Sequence, residues 1–171
     1  MSNAATSEWL DIVDENDHVI GRDTREQVHE GGHRHRSAHM VLFNTQGQVF
    51  VQRRSMNKDT NAGLWDTSAA GHVDSGETYI DCAVRELHEE LGIRVEPAEL
   101  QKVGVLSPEA RNGMEFTHVY SVVCDQSLTL EAAEIDDGCW LLPSDLQLWI
   151  EAEEEVFTDV FRTIWAMVNN Q

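Results

Sequence analysis

The chain has 171 residues, which suits a single domain whose core is large enough to fold without disulfides or a structural metal. Its 31 acidic residues outnumber its 12 basic residues, giving a formal net charge of -19, so neither nucleic-acid polymers nor anionic membranes are expected partners. The chain has three separated cysteines, no apolar run of membrane-spanning length and no signal-peptide pattern. These features predict free thiols and a cytoplasmic location.

Apolar stretches bounded by turn residues predict a series of strands, and short turns pair the first four into two hairpins. In chain order, the predicted strands cover residues 9–13, 18–21, 38–43, 48–53, 100–106, 116–124 and 138–142. Asp23, with Glu26 three residues later, favours a short helix that ends near His29. The N-terminal part of the chain is therefore expected to contain a hairpin followed by one short helix.

Longer helices follow in the second half of the chain. One begins at Glu77 or Thr78 and ends near Leu91, because Gly92 is a typical C-terminal cap. Another begins at Pro143, and the last carries an apolar stripe of Val156, Phe157, Val160, Phe161, Ile164, Trp165 and Val168. These elements predict an α/β (α+β) fold in which a mixed β-sheet lies between helices. We treat residues 1–171 as one domain, with residues 1–36 as an N-terminal extension that contains a β-hairpin.

The helix that ends near Leu91 carries a group of carboxylates. Glu86, Glu89 and Glu90 share one face about 100° wide. A separate face of the same helix is apolar and must pack in the core; it consists of Ile80, Ala83, Val84, Leu87 and Leu91. Three neighbouring carboxylates can bind a divalent cation, but in an acidic protein they are also typical of a solvated helix face. The charges alone leave both interpretations open.

The carboxylates belong to a longer pattern of spaced glycines, glutamates and an arginine. Its fixed positions are Gly71, Glu77, Arg85, Glu86, Glu89, Glu90 and Gly92. The pattern resembles the Nudix box, here residues 71–93, and chance agreement at every position is expected less than about once in 10^5 chains of this length. The resemblance implies a Nudix-type α/β/α sandwich and an enzyme that hydrolyses phosphorus-containing acid anhydrides.

The resemblance also implies roles for the box residues. The three glutamates, together with Gly71, would bind Mg²⁺ or Mn²⁺ and lower the pKa of bound water for attack on phosphorus. Glu77 and Arg85 are expected to pair as part of the catalytic site, because a loop that folds back over the helix would bring them together. The residue that deprotonates the water varies in the family, and the candidates here are Glu86, Glu109, Glu115 and Glu134.

Basic and aromatic residues outside the box are candidates for binding the substrate. Arg53 and Arg54 end a predicted strand and could contact phosphates, although charges at a strand end are as often simply solvated. Trp65, Phe43 and Phe116 could stack a nucleobase, but an aromatic side chain in a strand more often packs in the core. Arg53, Arg54, Trp65 and Phe116 are taken as the substrate-binding candidates.

A second resemblance concerns three histidines. His29, His35 and His72 are similar in position to the metal-binding histidines of the isopentenyl diphosphate isomerase branch of the same superfamily. They are therefore candidates for a second metal site, since imidazoles suit transition metals, with ordinary surface histidines as the alternative. The isomerase needs a cysteine and a glutamate, and this chain has Ala70 and His118 at the matching positions. Isomerase activity is not expected without that pair.

The expected substrate is a small molecule with a nucleoside diphosphate group. Nucleoside di- or triphosphates are the first expectation and nucleoside-diphosphate sugars the second, while Pro108 alone is a weak sign of ADP-ribose-cleaving relatives. The alternative from a different class is a module that binds a nucleotide without cleaving it, and the complete set of box glutamates argues against this. The sequence predicts no oligomeric state.

Overall fold

The computed structural model describes residues 8–170 of the chain. Residues 1–7 and 171, which the sequence assigns to the N-terminal extension and to the end of the predicted domain, lie outside this range. The described elements are β1 (Trp9–Val13), β2 (Val19–Thr24), α1 (Arg25–Glu30), β3 (His35–Phe43), β4 (Val49–Arg54), β5 (Trp65–Asp66), β6 (Ala69–His72), α2 (Tyr79–Leu91), β7 (Gln101–Leu106), β8 (Glu115–Val123), β9 (Ile135–Leu141), α3 (Pro143–Ala152) and α4 (Asp159–Val168). Each predicted strand and helix has a counterpart, and β5 and β6 are additional.

The first two strands form an antiparallel hairpin that is separate from the main sheet. Strand β2 continues to Thr24, so the predicted segment 18–21 was too short. The Thr24 side chain accepts a hydrogen bond from the N–H of Gln27 and caps α1, so the cap lies one residue after Asp23, where the sequence predicted the start of the helix. Asp23 still pairs with Leu10 in the hairpin, and the helix therefore begins only after it.

The main sheet has the order β5-β4-β3-β8-β7, with β6 beside β3 and β9 beside β4. Strand β3 is parallel to β8 and antiparallel to β4 and β6, which confirms the expected mixed sheet. The second predicted hairpin is correct only at its turn, because β3 and β4 pair only at Phe43 and Val49. Beyond that point β3 pairs with β6 and β4 pairs with β9, so the two strands diverge.

Alternating side chains along β3 divide the core between the two faces of the sheet. Met40 and Leu42 pack on the side of α2, whereas Val41 packs on the side of α3 and α4. Helix α2 begins at the Thr78 cap and ends at Gly92, whose φ of 71° lies in the left-handed region that glycine adopts at low cost. The arrangement is the expected α/β/α sandwich. Within residues 8–170, none of the helices combines the length and the apolar character needed to cross a lipid bilayer.

Candidate active site

The three box glutamates lie on α2 and line one cleft together with β6 and the N-terminal hairpin. Their exposure differs: the Glu86 side chain is 12% exposed and the Glu89 side chain 57% exposed, whereas Glu90 as a residue is 5% exposed. Gly71 lies so close to Glu86 that a Cβ at this position would overlap the carboxylate. The structure thus brings together the residues that were predicted to hold the metal.

Arg85 binds several of these carboxylates from within the box. Its Nε and Nη2 each donate to an oxygen of Glu77 at 2.9 Å, which confirms the expected pairing. Its Nη1 lies 2.6 Å from Glu86 Oε1 and 3.2 Å from Glu89 Oε2. Nη2 also donates to the His72 carbonyl at 3.0 Å. The planar guanidinium therefore ties the loop before α2 to the helix and fixes two of the carboxylates.

Burial disfavours the charged form of two box glutamates. It raises the pKa of Glu86 to about 7. Burial, followed by repulsion from Glu86, raises the pKa of Glu90 to about 8. Glu90 Oε2 nevertheless accepts hydrogen bonds from the N–H of Ala70 at 3.1 Å and from Gln52 Nε2 at 3.2 Å. A hard dication held by these carboxylates would offset their repulsion and favour the charged form, so the donor set fits Mg²⁺ or Mn²⁺.

A second group of potential metal ligands lies beside the same cleft, where α1, β3, β6 and β8 meet, and all of them except the buried His35 line it. One ligand atom from each of His29, His35, His72 and Glu115 lies within 4.8 Å of the others. Nε2 of His35 is buried with no hydrogen-bond partner among the described residues and lies 3.5 Å from Glu115 Oε1. A buried nitrogen without a partner fits a metal ligand, and three imidazoles with one carboxylate suit a transition metal. We call these four residues the histidine cluster.

The pKa values of His72 and His29 in the histidine cluster are shifted in opposite directions. Burial opposes a charge on His72, but hydrogen bonds to Glu115 and Glu8, both at 3.2 Å, outweigh burial and raise the pKa of His72 to about 9. Burial, together with the charges of His72 and His35, lowers the pKa of His29 to about 4. The cluster thus holds a positive charge between two carboxylates, and a bound cation could take the place of that proton.

Cationic side chains also line the cleft. Within residues 8–170 they are Arg22, Arg25, Arg54, Lys58, Arg85 and Arg111. Of the two predicted phosphate ligands, Arg54 is therefore on the cleft and Arg53 is not. Trp65 packs edge-on against Trp149, with 5.0 Å between ring centroids, and belongs to the core. Phe116 is also absent from the cleft lining. The structure does not bring Arg53, Trp65 or Phe116 to the carboxylates.

A family model described as NUDIX domain matches residues 33–161 of the chain. The chain belongs to the Nudix family. It is 36% identical over 171 residues to an uncharacterised Nudix hydrolase of Yersinia pestis, with 98% of this chain and 91% of that protein covered. Among solved structures, DR0079 from Deinococcus radiodurans is 32% identical, with a TM-score of 0.73 over 85% of this chain and 90% of that chain. The chain is therefore a Nudix hydrolase, an enzyme that acts on phosphorus-containing acid anhydrides.

More distant Nudix structures share the fold. The Nudix domain of NrtR from Shewanella oneidensis, solved with ADP ribose, is 17% identical, with a TM-score of 0.63 over 78% of this chain and 85% of that chain. At this level of identity the likeness concerns the fold alone. It agrees with the α/β/α sandwich described above and does not identify the substrate of this Nudix hydrolase.

The glutamates considered as candidate bases differ in their surroundings in this Nudix hydrolase. Glu86 and Glu134 line the cleft, and Glu134 pairs there with Lys58. Glu115 also lines the cleft, but its Oε1 lies 3.2 Å from His72 Nε2 and 3.5 Å from His35 Nε2, both in the histidine cluster. Glu109 forms an exposed ion pair and is absent from the cleft lining. Glu86 and Glu134 are therefore the best placed of the four.

Two polar residues that support the Nudix site were not predicted from the sequence. Gln52 donates to Glu90, and Glu8 lies 3.2 Å from His72. Gln52 interrupts the apolar run of β4, and a polar residue at a buried strand position is a signal that could have found it. Glu8 carries no comparable signal, because it precedes the first strand and reaches His72 only through the tertiary fold.

Proposed function

We propose that this Nudix hydrolase uses Mg²⁺ or Mn²⁺ to hydrolyse a diphosphate linkage in a nucleoside di- or triphosphate. The observation that carries the proposal is that the buried Glu90 and the largely buried Glu86 have raised pKa values and lie next to the exposed Glu89 in an open cleft. Buried carboxylates are costly unless they are compensated, and strongly perturbed pKa values are concentrated at functional sites. A merely solvated helix face would leave all three side chains exposed.

In the proposed reaction, Glu86, Glu89 and Glu90 hold the dication, and Arg85 keeps the first two of these carboxylates in position. When bound, the dication screens the diphosphate and lowers the pKa of water for attack on phosphorus. Arg54, on the cleft wall, neutralises charge on the substrate phosphates by charge-assisted hydrogen bonds. Glu86 or Glu134 accepts the proton of the attacking water, which the variants Glu86→Gln and Glu134→Gln would distinguish by their pH–rate profiles.

Nucleoside-diphosphate sugars are the second candidate substrates. The cleft has a volume of about 1820 Å³, whereas pockets for small ligands occupy about 300–1,000 Å³. It therefore has room for a substrate with groups on both sides of the diphosphate. A binding module without catalysis would have no need for buried carboxylates at the box, and isopentenyl diphosphate isomerisation would lack the cysteine and the glutamate that Ala70 and His118 replace.

The histidine cluster is proposed as a second metal site that is separate from the hydrolytic step. Its donors suit a transition metal, and the unpartnered Nε2 of His35 supports this assignment. The catalytic dication is assigned to the box because hard carboxylate ligands suit Mg²⁺ or Mn²⁺. Elemental analysis of the purified protein and of His72→Ala tests the second site without reference to activity.

The experiment that tests the proposed function is a hydrolysis panel. Nucleoside di- and triphosphates, nucleoside-diphosphate sugars, inorganic pyrophosphate and isopentenyl diphosphate are each incubated with the protein in Mg²⁺, in Mn²⁺ and in EDTA. We expect release of phosphate, pyrophosphate or a nucleoside monophosphate from a nucleotide substrate in the presence of either metal and not in EDTA. Equal turnover by metal-free protein, or no turnover of any nucleotide, would contradict the proposal.

A further inference from the structure

Trp9, the first residue of β1, is a large aromatic side chain left open at the active-site cleft. It is 46% exposed and lines the cleft that also contains the box glutamates. Its carbonyl accepts a hydrogen bond from the N–H of Ser75 at 2.8 Å, in the loop before α2. The preceding residue of that loop, Asp74, lies 3.8 Å from Arg85. The position of Trp9 is therefore tied to the box that holds the carboxylates.

Arg22 on β2 covers one face of this indole. Its guanidinium carbon lies 5.6 Å from the centroid of the Trp9 ring, within the range of a cation–π interaction. The other cations on the cleft, Arg25, Arg54, Lys58, Arg85 and Arg111, each form an ion pair with a carboxylate. Arg22 forms none with any residue that the structure describes. The charge of Arg22 is therefore not shared with a carboxylate of the described residues.

We propose that Trp9 and Arg22 form a nucleobase subsite, in which the base of the substrate stacks on the face of Trp9 opposite Arg22. This inference rests on the proposed function, because it places the base in the same cleft as the box glutamates that are proposed to hold the metal and the phosphates. Bases of every type have a flat π-face, so an exposed aromatic ring binds them without needing a particular sequence of donors. Arg22 lies over the other face of the ring and keeps the ring in position by its cation–π contact.

The polar surroundings of Trp9 favour a base over an apolar group such as an isoprenoid chain. Asp74, Ser75 and Arg25 line the cleft near the same hairpin and loop, and they offer donors and acceptors to the edges of a base. Their side chains pair with Asp59, Arg85 and Asp11, so the wall beside the ring is polar and offers an isoprenoid chain little apolar surface to bury. The subsite comes from the N-terminal hairpin, which lies before the residues 33–161 that match the family model. The stacking ring would thus come from a segment outside the residues that match the common Nudix domain.

The test compares binding of ligands with and without a base. α,β-Methylene analogues of ADP, GDP, CDP and UDP, which resist hydrolysis between these phosphates, are titrated calorimetrically in Mg²⁺ alongside methylenediphosphonate as the base-free probe. We expect Trp9→Ala to raise the Kd of the tightest nucleotide analogue at least about tenfold, which corresponds to about 1.4 kcal/mol. Trp9→Phe, which keeps a ring, is expected to raise it less than about threefold, and methylenediphosphonate binding is expected to change less than about twofold.

Ile20→Ala is the matched control, because Ile20 is 67% exposed on the same hairpin and does not line the cleft. It should change neither Kd. If Trp9→Ala does not fold, Trp9→Leu, which keeps apolar bulk without a ring, replaces it, and thermal unfolding checks each variant. The subsite would be overturned if Trp9→Ala weakened binding of the nucleotide analogue and of methylenediphosphonate equally, or left nucleotide binding unchanged. It would also be overturned if the parent protein bound no nucleotide analogue more tightly than methylenediphosphonate. Base-dependent binding without hydrolysis in the panel would instead overturn the proposed function and leave the subsite standing.

Discussion

The substitution Glu90→Gln should make the metal-free protein more stable while it removes activity. Glutamine has nearly the same shape as glutamate but carries no charge, and Glu90 is 5% exposed. The pKa of Glu90 is about 8, against an ordinary value of 4.5. At about 1.4 kcal/mol per pKa unit, this difference sets an upper limit of roughly 5 kcal/mol on the cost of the charged form at alkaline pH.

Part of this gain is offset by the hydrogen bonds that Glu90 makes. Its Oε2 accepts from Ala70 and from Gln52, and a side-chain amide has only one oxygen with which to keep these contacts. We therefore expect the free energy of unfolding of the metal-free protein to rise by ~1–3 kcal/mol at alkaline pH. The same change removes a proposed metal ligand, so kcat/KM should fall about 100-fold or more, equivalent to ~2.7 kcal/mol.

Urea unfolding in EDTA measures the stability change, and initial rates in Mg²⁺ measure the activity change. Glu89→Gln is the matched control, because Glu89 lies on the same helix face but its side chain is 57% exposed. It should lose activity to a similar extent while its stability stays within ~0.5 kcal/mol of the parent. A metal-free Glu90→Gln that is less stable than the parent would refute the reasoning about burial. Rates within about threefold of the parent for both variants would refute the ligand roles.

Three further predictions concern the histidines, the isomerase resemblance and pH. His29→Ala and His72→Ala should remove a bound transition metal but leave kcat within about tenfold of the parent, and joint loss of metal and activity would contradict this. Ala70→Cys should give no isomerase activity because His118 provides no partnering acid, and an allylic isomer detected by NMR would show otherwise. In EDTA, the free energy of unfolding should fall between about pH 6.5 and 9. The pKa values of Glu90 and His72 are both higher in the folded protein than in the unfolded chain, so the folded protein loses stabilising protons from both groups as the pH rises through this range. A urea-unfolding profile that is flat or rising over this range would count against it.

The elements that the sequence predicted well are those with strong local patterns. Helix α2 has a cap at Thr78, a glycine at its end and one apolar face, and each of these features acts within a few residues. Strands β5 and β6 were missed because a strand as short as Trp65–Asp66 shows no measurable alternation. The error in the second hairpin arose because β3 finds better partners in β6 and β8, which lie far along the chain.

The same distinction between local and distant contacts explains the outcome for the site. The box residues were found because their spacing along one helix determines their shared face. Glu115 joins the histidine cluster through the parallel register that puts it opposite His35, and no local pattern contains that register. Trp65 was a reasonable stacking candidate by type, but its side chain faces the core, while Trp9 reaches the cleft only because the hairpin docks beside the box loop.

The docking of the N-terminal hairpin on the loop before α2 has a consequence for synthesis of the protein. Asp11 accepts a hydrogen bond from the Ser75 hydroxyl at 2.7 Å and from the N–H of Gly76 at 3.1 Å, across 64 and 65 positions of the chain. At about 5–20 residues per second, a ribosome needs roughly 3–13 s to make the intervening chain. A two-stranded hairpin alone is marginal in water, so β1 and β2 must wait for their partner before they become stably folded. The hairpin therefore becomes fixed only after the box loop, 64 positions further along the chain, has been made.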